Sequence, residues 1–435
     1  MFILPSDTIM TPDTLGDLIK QHQKLVTDKY EPLKNLYEGD HKILHEDKKA
    51  QYKPDNRIVV NFAKYIVDTL NGFFIGIPIK TSHEDKKVQE YIELLDAYND
   101  QDDNNAELSK LCDIYGHGYE LLFTDEASQV GLTYVSPMEA FIVHDESIRR
   151  RPLFGVRYYT NSKNELEGSY STDEKIVYFD KDFKMTEEEA HYFGGVPLIE
   201  YQENEERIGS FETVDTMINA YNKALSEKAN DVDYYADAYL SILGAVLDED
   251  TLDRLRDSRI INLKGNNADK VIVEFLQKPD ADGTQENLID RLEQLIFQIS
   301  MVANINDESF GNASGVALAY KLQAMNNLAK TKERKFISAL NQRYRLISNL
   351  PNSSMGVDDW LKIKYRFTRN VPKNILEEAQ VAQALAGITS QETQLSVLSV
   401  VDNVSDELEK KVKEETPIDL FAREASPGNP DGGGY

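Results

Sequence analysis

Few side chains in this sequence stand at spacings that support chemistry. The pentapeptide His-Glu-Asp-Lys-Lys occurs twice, at residues 45–49 and 83–87. Imidazole and carboxylate are metal ligands, but both copies lie in charged loops and are expected to be solvated surface. The seven histidines do not cluster, whereas a zinc site needs ligands that converge. Asp280-Ala281-Asp282-Gly283 matches part of a calcium loop, yet the glutamate downstream comes too early for an EF-hand. A turn before a helix is expected there. Residues 311–316 carry Gly311 and Gly315 but no lysine for the phosphates of a nucleotide. Ser314 sits one place late for a G-x-S-x-G elbow. The single cysteine, Cys112, excludes an intrachain disulfide and a four-cysteine zinc site. Its apolar context predicts a buried structural thiol. Acidic pairs occur throughout, so none is marked as a general acid and base. No catalysis, cofactor or metal is expected.

Composition narrows the function classes further. The chain has 435 residues, enough for two or three domains and a sizeable core. Its 75 acidic against 48 basic residues give a formal charge of -27, and the pI is near 4.7. Nucleic-acid grips are usually basic, so tight DNA binding by the whole surface is not expected. An acidic surface that DNA slides past is compatible with this charge. The opening residues are too short for a signal peptide. The most apolar later run, 75–79, contains Pro78 and cannot span a bilayer. Cytoplasmic assembly without a membrane is the expectation.

The elements that would position any site follow from periodicity. Residues 11–37 predict a helix through Leu15, Leu18, Ile19, Leu25 and Leu33, interrupted at Pro32. Helices are also expected over 63–70 and 107–119. From Glu120 onward, short β-branched and aromatic segments separated by turn residues predict an antiparallel sheet, closed by residues 196–201. A long helix over 210–237 carries Val214, Met217, Ile218, Tyr221, Leu225 and Val232 on one stripe. A compact insertion follows: a strand at 240–247, a charged helix at 248–256, and strands at 259–263 and 271–275 around the turn Gly265-Asn266-Asn267. A helix over 285–302 returns, so the pair forms a stalk with a knob. A polar loop then leads to another long helix, N-capped by Ser314 and unbroken to Pro351. Leu318, Leu322, Met325, Leu328, Ala329, Phe336 and Leu340 mark its apolar stripe, and its length would be roughly 50 Å. Residues 360–369 are strand-like. Helices are expected at 372–386, at 390–400 after a Gly387 cap, and at 402–415, before a disordered tail. The fold class is α+β.

In this order the motifs become specific. They include Tyr37-Glu38-Gly39-Asp40-His41, Asn61-Phe62-Ala63-Lys64-Tyr65 with Gly76-Ile77-Pro78, and Tyr115-Gly116-His117-Gly118-Tyr119-Glu120. Further on come Gly194-Gly195-Val196-Pro197, residues 215–222 with Ser226 and Asn230-Asp231, Ser314-Gly315-Val316-Ala317-Leu318, Phe367-Thr368-Arg369-Asn370-Val371-Pro372, and Ala386-Gly387-Ile388-Thr389-Ser390. The series, spanning about 37–401, resembles the portal proteins of tailed double-stranded DNA bacteriophages, in the branch typical of long-tailed phages of Gram-positive hosts. It departs at Gly194-Gly195, where the family commonly has Asn-x-Gly, and at Thr389, where it often has Val.

The resemblance implies a portal-like fold: a mixed α/β wing (1–209, with a return strand at 351–373), stem helices (210–238 and 280–303), a small α/β clip (239–279), a tunnel loop (304–313), a long tunnel helix (314–350) and a helical crown (374–416), with 417–435 as tail. It implies a homo-oligomeric ring, usually of twelve subunits, at one capsid vertex of the virion. Double-stranded DNA enters and leaves through its channel, weakly bound. The implied partners are the terminase large subunit, major capsid and scaffolding proteins, and a head-completion or adaptor protein. Asn306, Asp307, Glu308, Ser309, Phe310, Gly311 and Asn312 would form the tunnel loop near DNA. Asp248, Glu249, Asp250, Asp253, Arg254 and Arg256 would form the docking surface of the clip. Lys330, Lys332, Arg334 and Lys335 make a basic run on the long helix, expected at an intersubunit face or against DNA. Two other classes stay open: a minor capsid or scaffolding component, and a metal-dependent nucleic-acid enzyme.

Overall fold

The computed structural model describes residues 1–50, 53–236, 240–243, 272–275, 282–305, 315–371, 375–398, 400–401 and 404–415. Residues 306–313 of the expected tunnel loop, the Ser314 cap, the clip residues from Asp248 to Arg256, the strand at 259–263 and the tail lie outside the described residues. The chain forms two compact units, Met1–Asn370 and Val371–Tyr435.

In the first unit, the elements run β1 (Phe2–Leu4), α1 (Pro12–Leu25), a π turn (Val26–Tyr30), α2 (Glu31–Glu38), α3 (Phe62–Ile75), β2 (Lys80–Ser82), α4 (Lys86–Tyr98) and α5 (Gln101–Tyr115). Then come β3 (His117–Thr124), β4 (Val130–Val135), β5 (Ala140–Asp145), β6 (Pro152–Thr160), β7 (Leu166–Ser171), β8 (Lys175–Phe179), β9 (Met185–Ala190) and β10 (Leu198–Gln202). They are followed by α6 (Asp215–Ala236), β11 (Leu240–Leu243), β12 (Ile272–Phe275), α7 (Asp282–Ser300), α8 (Gly315–Lys321), α9 (Gln323–Ser348) and β13 (Lys364–Arg366). The second unit contributes α10 (Ile375–Ala384), α11 (Gln391–Ser396) and α12 (Val404–Glu415). Gly387 between the first two has a left-handed backbone.

The expected antiparallel sheet is two sheets. One has the order β1-β5-β6-β7-β8-β9 and the other β10-β3-β4. Among the described strands only β1 pairs in parallel, on β5. Alternation along β5 explains how the layers stack. Phe141 and Val143 join Leu15, Leu18 and Ile19 of α1 in one core. Ala140 and Ile142 face the other way, into Tyr119, Val135, Val196 and Leu198 of the smaller sheet. A strand buried on both faces needs apolar residues at every position, which accounts for the run Ala140-Phe141-Ile142-Val143.

Several expectations change. The helix expected over 107–119 starts earlier and ends at Tyr115, with 117–119 in β3, and the long helix expected to be unbroken to Pro351 is interrupted at Leu322, between α8 and α9. Pro32 does not interrupt the first helix: the chain stays helical from Pro12 to Glu38. Pro32 has no N–H for an i→i−4 bond, and the π turn just before it, where Glu31 N–H reaches Val26 O, absorbs the misfit. Residues 360–369 are not one strand. Asp359–Lys362 is a 3₁₀ turn and only Lys364–Arg366 pairs, with the equally short β2. Strands β7 and β9 carry little β signal, and β9 is an exposed edge rich in glutamate.

Gly116 ends α5 with φ of 83°, its N–H 2.8 Å from Cys112 O. A Cβ there would fall 2.2 Å from the carbonyl of Arg207. Glycine is therefore the residue that lets α5 turn directly into β3.

The stem-like pair α6 and α7 is joined, among the described residues, through the antiparallel ribbon β11–β12. Phe62 of α3 meets Tyr221 at 4.9 Å and Phe297 at 5.7 Å, tying the pair to the rest of the unit. A second tie is polar. Val60 N–H donates to Asn222 Oδ1 (2.9 Å), Ile58 N–H to Ser226 Oγ (2.9 Å) and Asn56 N–H to Asn230 Oδ1 (2.6 Å). Four helical residues rise about 6 Å and two extended residues about 6.6 Å, so the two spacings nearly match. An extended segment thus runs antiparallel along a helix, which supplies side chains where a sheet would supply carbonyls.

Replacing Asn222 by Ala is expected to cost about 1–3 kcal/mol, because the half-buried N–H of Val60 loses its acceptor; urea unfolding of the purified chain measures it. The buried histidines set an acid limit. His22 (1% exposed) lies 2.7 Å from Tyr158 Oη, and His117 lies 3.4 Å from Tyr30 Oη. Burial lowers both pKa values to about 4. Unfolded histidine titrates near 6.5, so their contribution is full above that pH and is lost as pH falls toward 4. A chemical-denaturation series from pH 7 to 4 should show this decline, roughly 3 kcal/mol per histidine at its limit. His22→Gln should shallow the slope.

Candidate functional site at the long helix

Helix α9 buries Met325, Ala329, Phe336, Leu340 and Ile347 along one face. That stripe has two gaps, and the gaps are filled by cations. Lys332 and Arg343 lie on the same face and are 0% and 1% exposed. Sequence periodicity could have found Lys332, since the apolar stripe skips from Ala329 to Phe336 and position 332 is the missing turn.

Lys332 Nζ is 2.8 Å from Asp113 Oδ2 and 2.9 Å from Glu203 Oε2. It also donates to Ser109 O at 3.0 Å and sits 5.1 Å above the Phe74 ring. Burial alone would favour neutral lysine, but Asp113 and Glu203 outweigh it and hold Lys332 charged. One cation faces two carboxyls in a dry pocket. Burial pushes the Asp113 carboxyl well above the usual range, against the pull of Lys332. The buried Cys112 thiol, pushed up by the same burial, donates to Tyr201 O at 3.4 Å, in keeping with a structural role.

Arg343 makes a bidentate pair with Glu120, Nε to Oε2 at 2.8 Å and Nη2 to Oε1 at 2.7 Å, and Nη2 also reaches Asn105 Oδ1 at 2.7 Å. Tyr201 Oη donates to Glu120 Oε2 at 3.1 Å and Gln101 Nε2 to Oε1 at 3.3 Å. Glu120, fully buried on β3, thus gathers donors from α5, β10 and α9. Burial opposes the charge on Arg343, but Glu120 overrides it and raises its pKa.

These clusters are closed to solvent and are held by ion pairs, although Asp113 Oδ1, Ser109 Oγ and Gln101 Oε1 are buried without a hydrogen-bond partner. The arrangement clamps α9 onto α5, β3 and β10; it offers no open position for a substrate. Among the described residues, no group of three or more His, Cys, Asp or Glu is placed to hold a metal ion. His45 of the first His-Glu-Asp-Lys-Lys motif lies 2.6 Å from Asp40 on an exposed surface.

The basic run therefore divides. Lys332 is a correction: it is sealed inside the subunit and faces neither DNA nor a neighbouring subunit. Its helical phase, not its place in a charged run, decides this. Lys335 is ion-paired with Glu205, and Glu333 with Arg369. Lys330 and Arg334 are exposed. The tunnel-loop residues Asn306 to Asn312 and the clip residues Asp248, Glu249, Asp250, Asp253, Arg254 and Arg256 lie outside the described residues. Sequence reasoning missed Arg343, Glu120, Asp113 and Glu203.

The family model described as phage portal protein, SPP1 Gp6-like, matches residues 17–417. The portal protein of Clostridium phage phiCD119 is 23% identical over 423 residues, covering 86% of this chain and 88% of its own. The portal protein of Bacillus phage SPP1 is 22% identical over 391 residues, covering 83% and 76%. A solved chain from the neck of an empty GTA particle aligns with 77% of this chain and 88% of its own, at 13% identity and a TM-score of 0.44. No helix among the described residues is long and apolar enough to cross a membrane.

Removing one member of a buried ion cluster costs far more than replacing all of it. Lys332→Ala should lose about 3–5 kcal/mol, while Lys332→Met combined with Asp113→Asn and Glu203→Gln should recover most of that. Denaturant unfolding with circular dichroism distinguishes the two outcomes.

Proposed function

The chain belongs to the SPP1 Gp6-like family of phage portal proteins, and from that premise we propose that it assembles into a ring, of twelve subunits, at one capsid vertex. Double-stranded DNA would enter during packaging and leave at infection through the channel of this ring. The observation that carries the proposal is the family match over residues 17–417. The physical features agree with it. Helices α6 and α7 pack as a pair joined by a β ribbon, which suits a stem carrying a clip. The long helix that follows the loop is locked to the body by two buried ion clusters.

In this proposal, residues 1–209 with 351–373 are the wing, 210–238 and 280–303 the stem, 239–279 the clip, 304–313 the tunnel loop, 314–350 the tunnel helix and 374–416 the crown. The clip would dock the terminase large subunit and later a head-completion protein, while major capsid and scaffolding proteins would meet the ring at the vertex. The part played is structural: ATP hydrolysis would fall to the terminase. A charge of -27 per chain, with Asp307 and Glu308 in the loop, repels phosphate and neutralises none of it. Retention on DNA needs neutralised phosphates, so an acidic channel lets DNA pass. Assembly would take place in the host cytoplasm and the finished ring would reside in the virion.

Negative-stain electron microscopy with mass photometry of the purified chain should show rings with a central hole. Deleting residues 306–312 should leave ring mass unchanged and lower the DNA packaged per particle by at least tenfold, read as nuclease-protected DNA in an infected culture. Normal packaging by the shortened chain would remove the tunnel-loop assignment. A chain that never forms rings, alone or with capsid proteins, would remove the portal proposal.

A further inference from the structure

A ring repeats one heterologous contact, so each subunit must carry two different surfaces that fit each other. The hairpin β5–β6 has candidates at its two ends.

At one end is the turn between β5 and β6. It is held rigid by Asp145, which is 1% exposed. Asp145 Oδ1 accepts from Ser147 Oγ at 2.6 Å, Ser147 N–H at 3.2 Å and Arg151 N–H at 2.9 Å. Arg151 Nε adds a bond to Oδ2 at 3.2 Å, and the turn is closed by Arg150 N–H on Ser147 O at 3.0 Å. Arg150 takes a φ of 47°, in the left-handed region that non-glycine residues seldom adopt. What this scaffold presents is Ile148, 103% exposed, followed by the exposed Arg149 and Arg150. An isoleucine held in water at the apex of an ordered, cationic turn has the form of a plug.

At the other end, beside Glu139 and the start of β5, is a groove of about 590 Å³ between the two sheets. Its walls include Phe123, Tyr134 and Ile176, with Phe123 and Tyr134 38% and 40% exposed at the rim. Glu139 and Glu189 also line it, together with one cation, Arg157 of β6, and Glu187 is exposed on β9 two residues before Glu189, so carboxylates outnumber the cation there. Glutamates along the edge of β9 discourage pairing with another strand, which leaves contact here to side chains. The groove is of a size that takes a side chain with its flanks. Plug and groove match twice over, apolar tip to apolar wall and arginine to glutamate. They are separated along the hairpin by roughly five residues of strand, about 17 Å, so neither can satisfy the other within one chain.

We propose that the Ile148 turn of one copy inserts into the Phe123–Tyr134 groove of the next, with Arg149 and Arg150 facing Glu139 and Glu187. The proposal rests on the ring proposed above and supplies one of its subunit contacts. The pairing is head to tail, which propagates around a ring where a two-fold contact would stop at a dimer.

The test uses the full chain, in which the native Cys112 is fully buried and silent. The double variant Ile148→Cys with Tyr134→Cys, oxidised mildly and run on a non-reducing gel, should give a ladder of covalent multimers beyond the dimer. Ile148→Cys with Leu94→Cys, a pair with exposed positions but no groove, should give no such ladder. In parallel, Arg149→Glu with Arg150→Glu should cut the ring fraction seen by mass photometry at least tenfold. Adding Glu139→Arg and Glu187→Arg to that variant should restore it. Rings that form normally from the Arg149→Glu/Arg150→Glu chain, or rings of the double-cysteine chain that yield no ladder above the control pair, overturn this contact and leave the ring intact. Absence of both rings and ladder overturns the ring as well.

Discussion

A charged lysine and a charged arginine lie in the dry interior of one helix–sheet interface, and everything around α9 has to accommodate them. Moving either into a low-dielectric site without partners would cost several kcal/mol. Asp113 and Glu203 answer Lys332 from α5 and the segment after β10, and Glu120 answers Arg343 from β3. The two clusters are eleven residues apart on α9, about three helical turns. Two separated charge clamps define a register that apolar packing alone would not. Sliding the helix by one turn would place leucine or alanine against the carboxylates and leave a bare ammonium against Phe74.

That constraint has a mechanical sense in a family whose members form portals. The loop preceding α8 and α9 is the segment proposed to meet moving DNA, and a helix fixed in register gives such a loop a firm base. The extended segment 56–60 does similar work for α6 by hydrogen-bonding to every fourth residue of the helix. Hydrophobic burial supplies the bulk of the stability here as elsewhere. Polar contacts of this kind set positions.

The acidic composition acts at longer range. A charge of -27 per subunit opposes assembly as well as DNA retention, so basic groups that remain outside internal pairs carry weight. Many of the cations are spent within the chain, as Lys335 on Glu205, Arg207 on Glu200 and Arg369 on Glu333 show. Arg149, Arg150, Lys330 and Arg334 are exposed cations.

Much of the architecture was legible in the residues. Helical spacing marked α1, α6, α7 and α9, and β-branched runs marked β3 to β6 and β8. The ordered motifs, more than any single one, identified the portal family. The failures share a cause. Pro32 looked like a break because local rules do not anticipate a π turn that absorbs it. Strand β9 went unseen because an exposed edge needs no apolar residues, and it is held by β8, which pairing in space provides. Lys332 looked like surface because four basic residues within six positions suggest a solvated face. The sequence by itself determined the elements, the acidic field and the family, since these depend on local periodicity, on summed charge and on residue order. Only the tertiary structure decided which charges are buried. The partners Asp113, Glu203 and Glu120 are more than a hundred residues from the cations they hold, and no local pattern encodes that meeting.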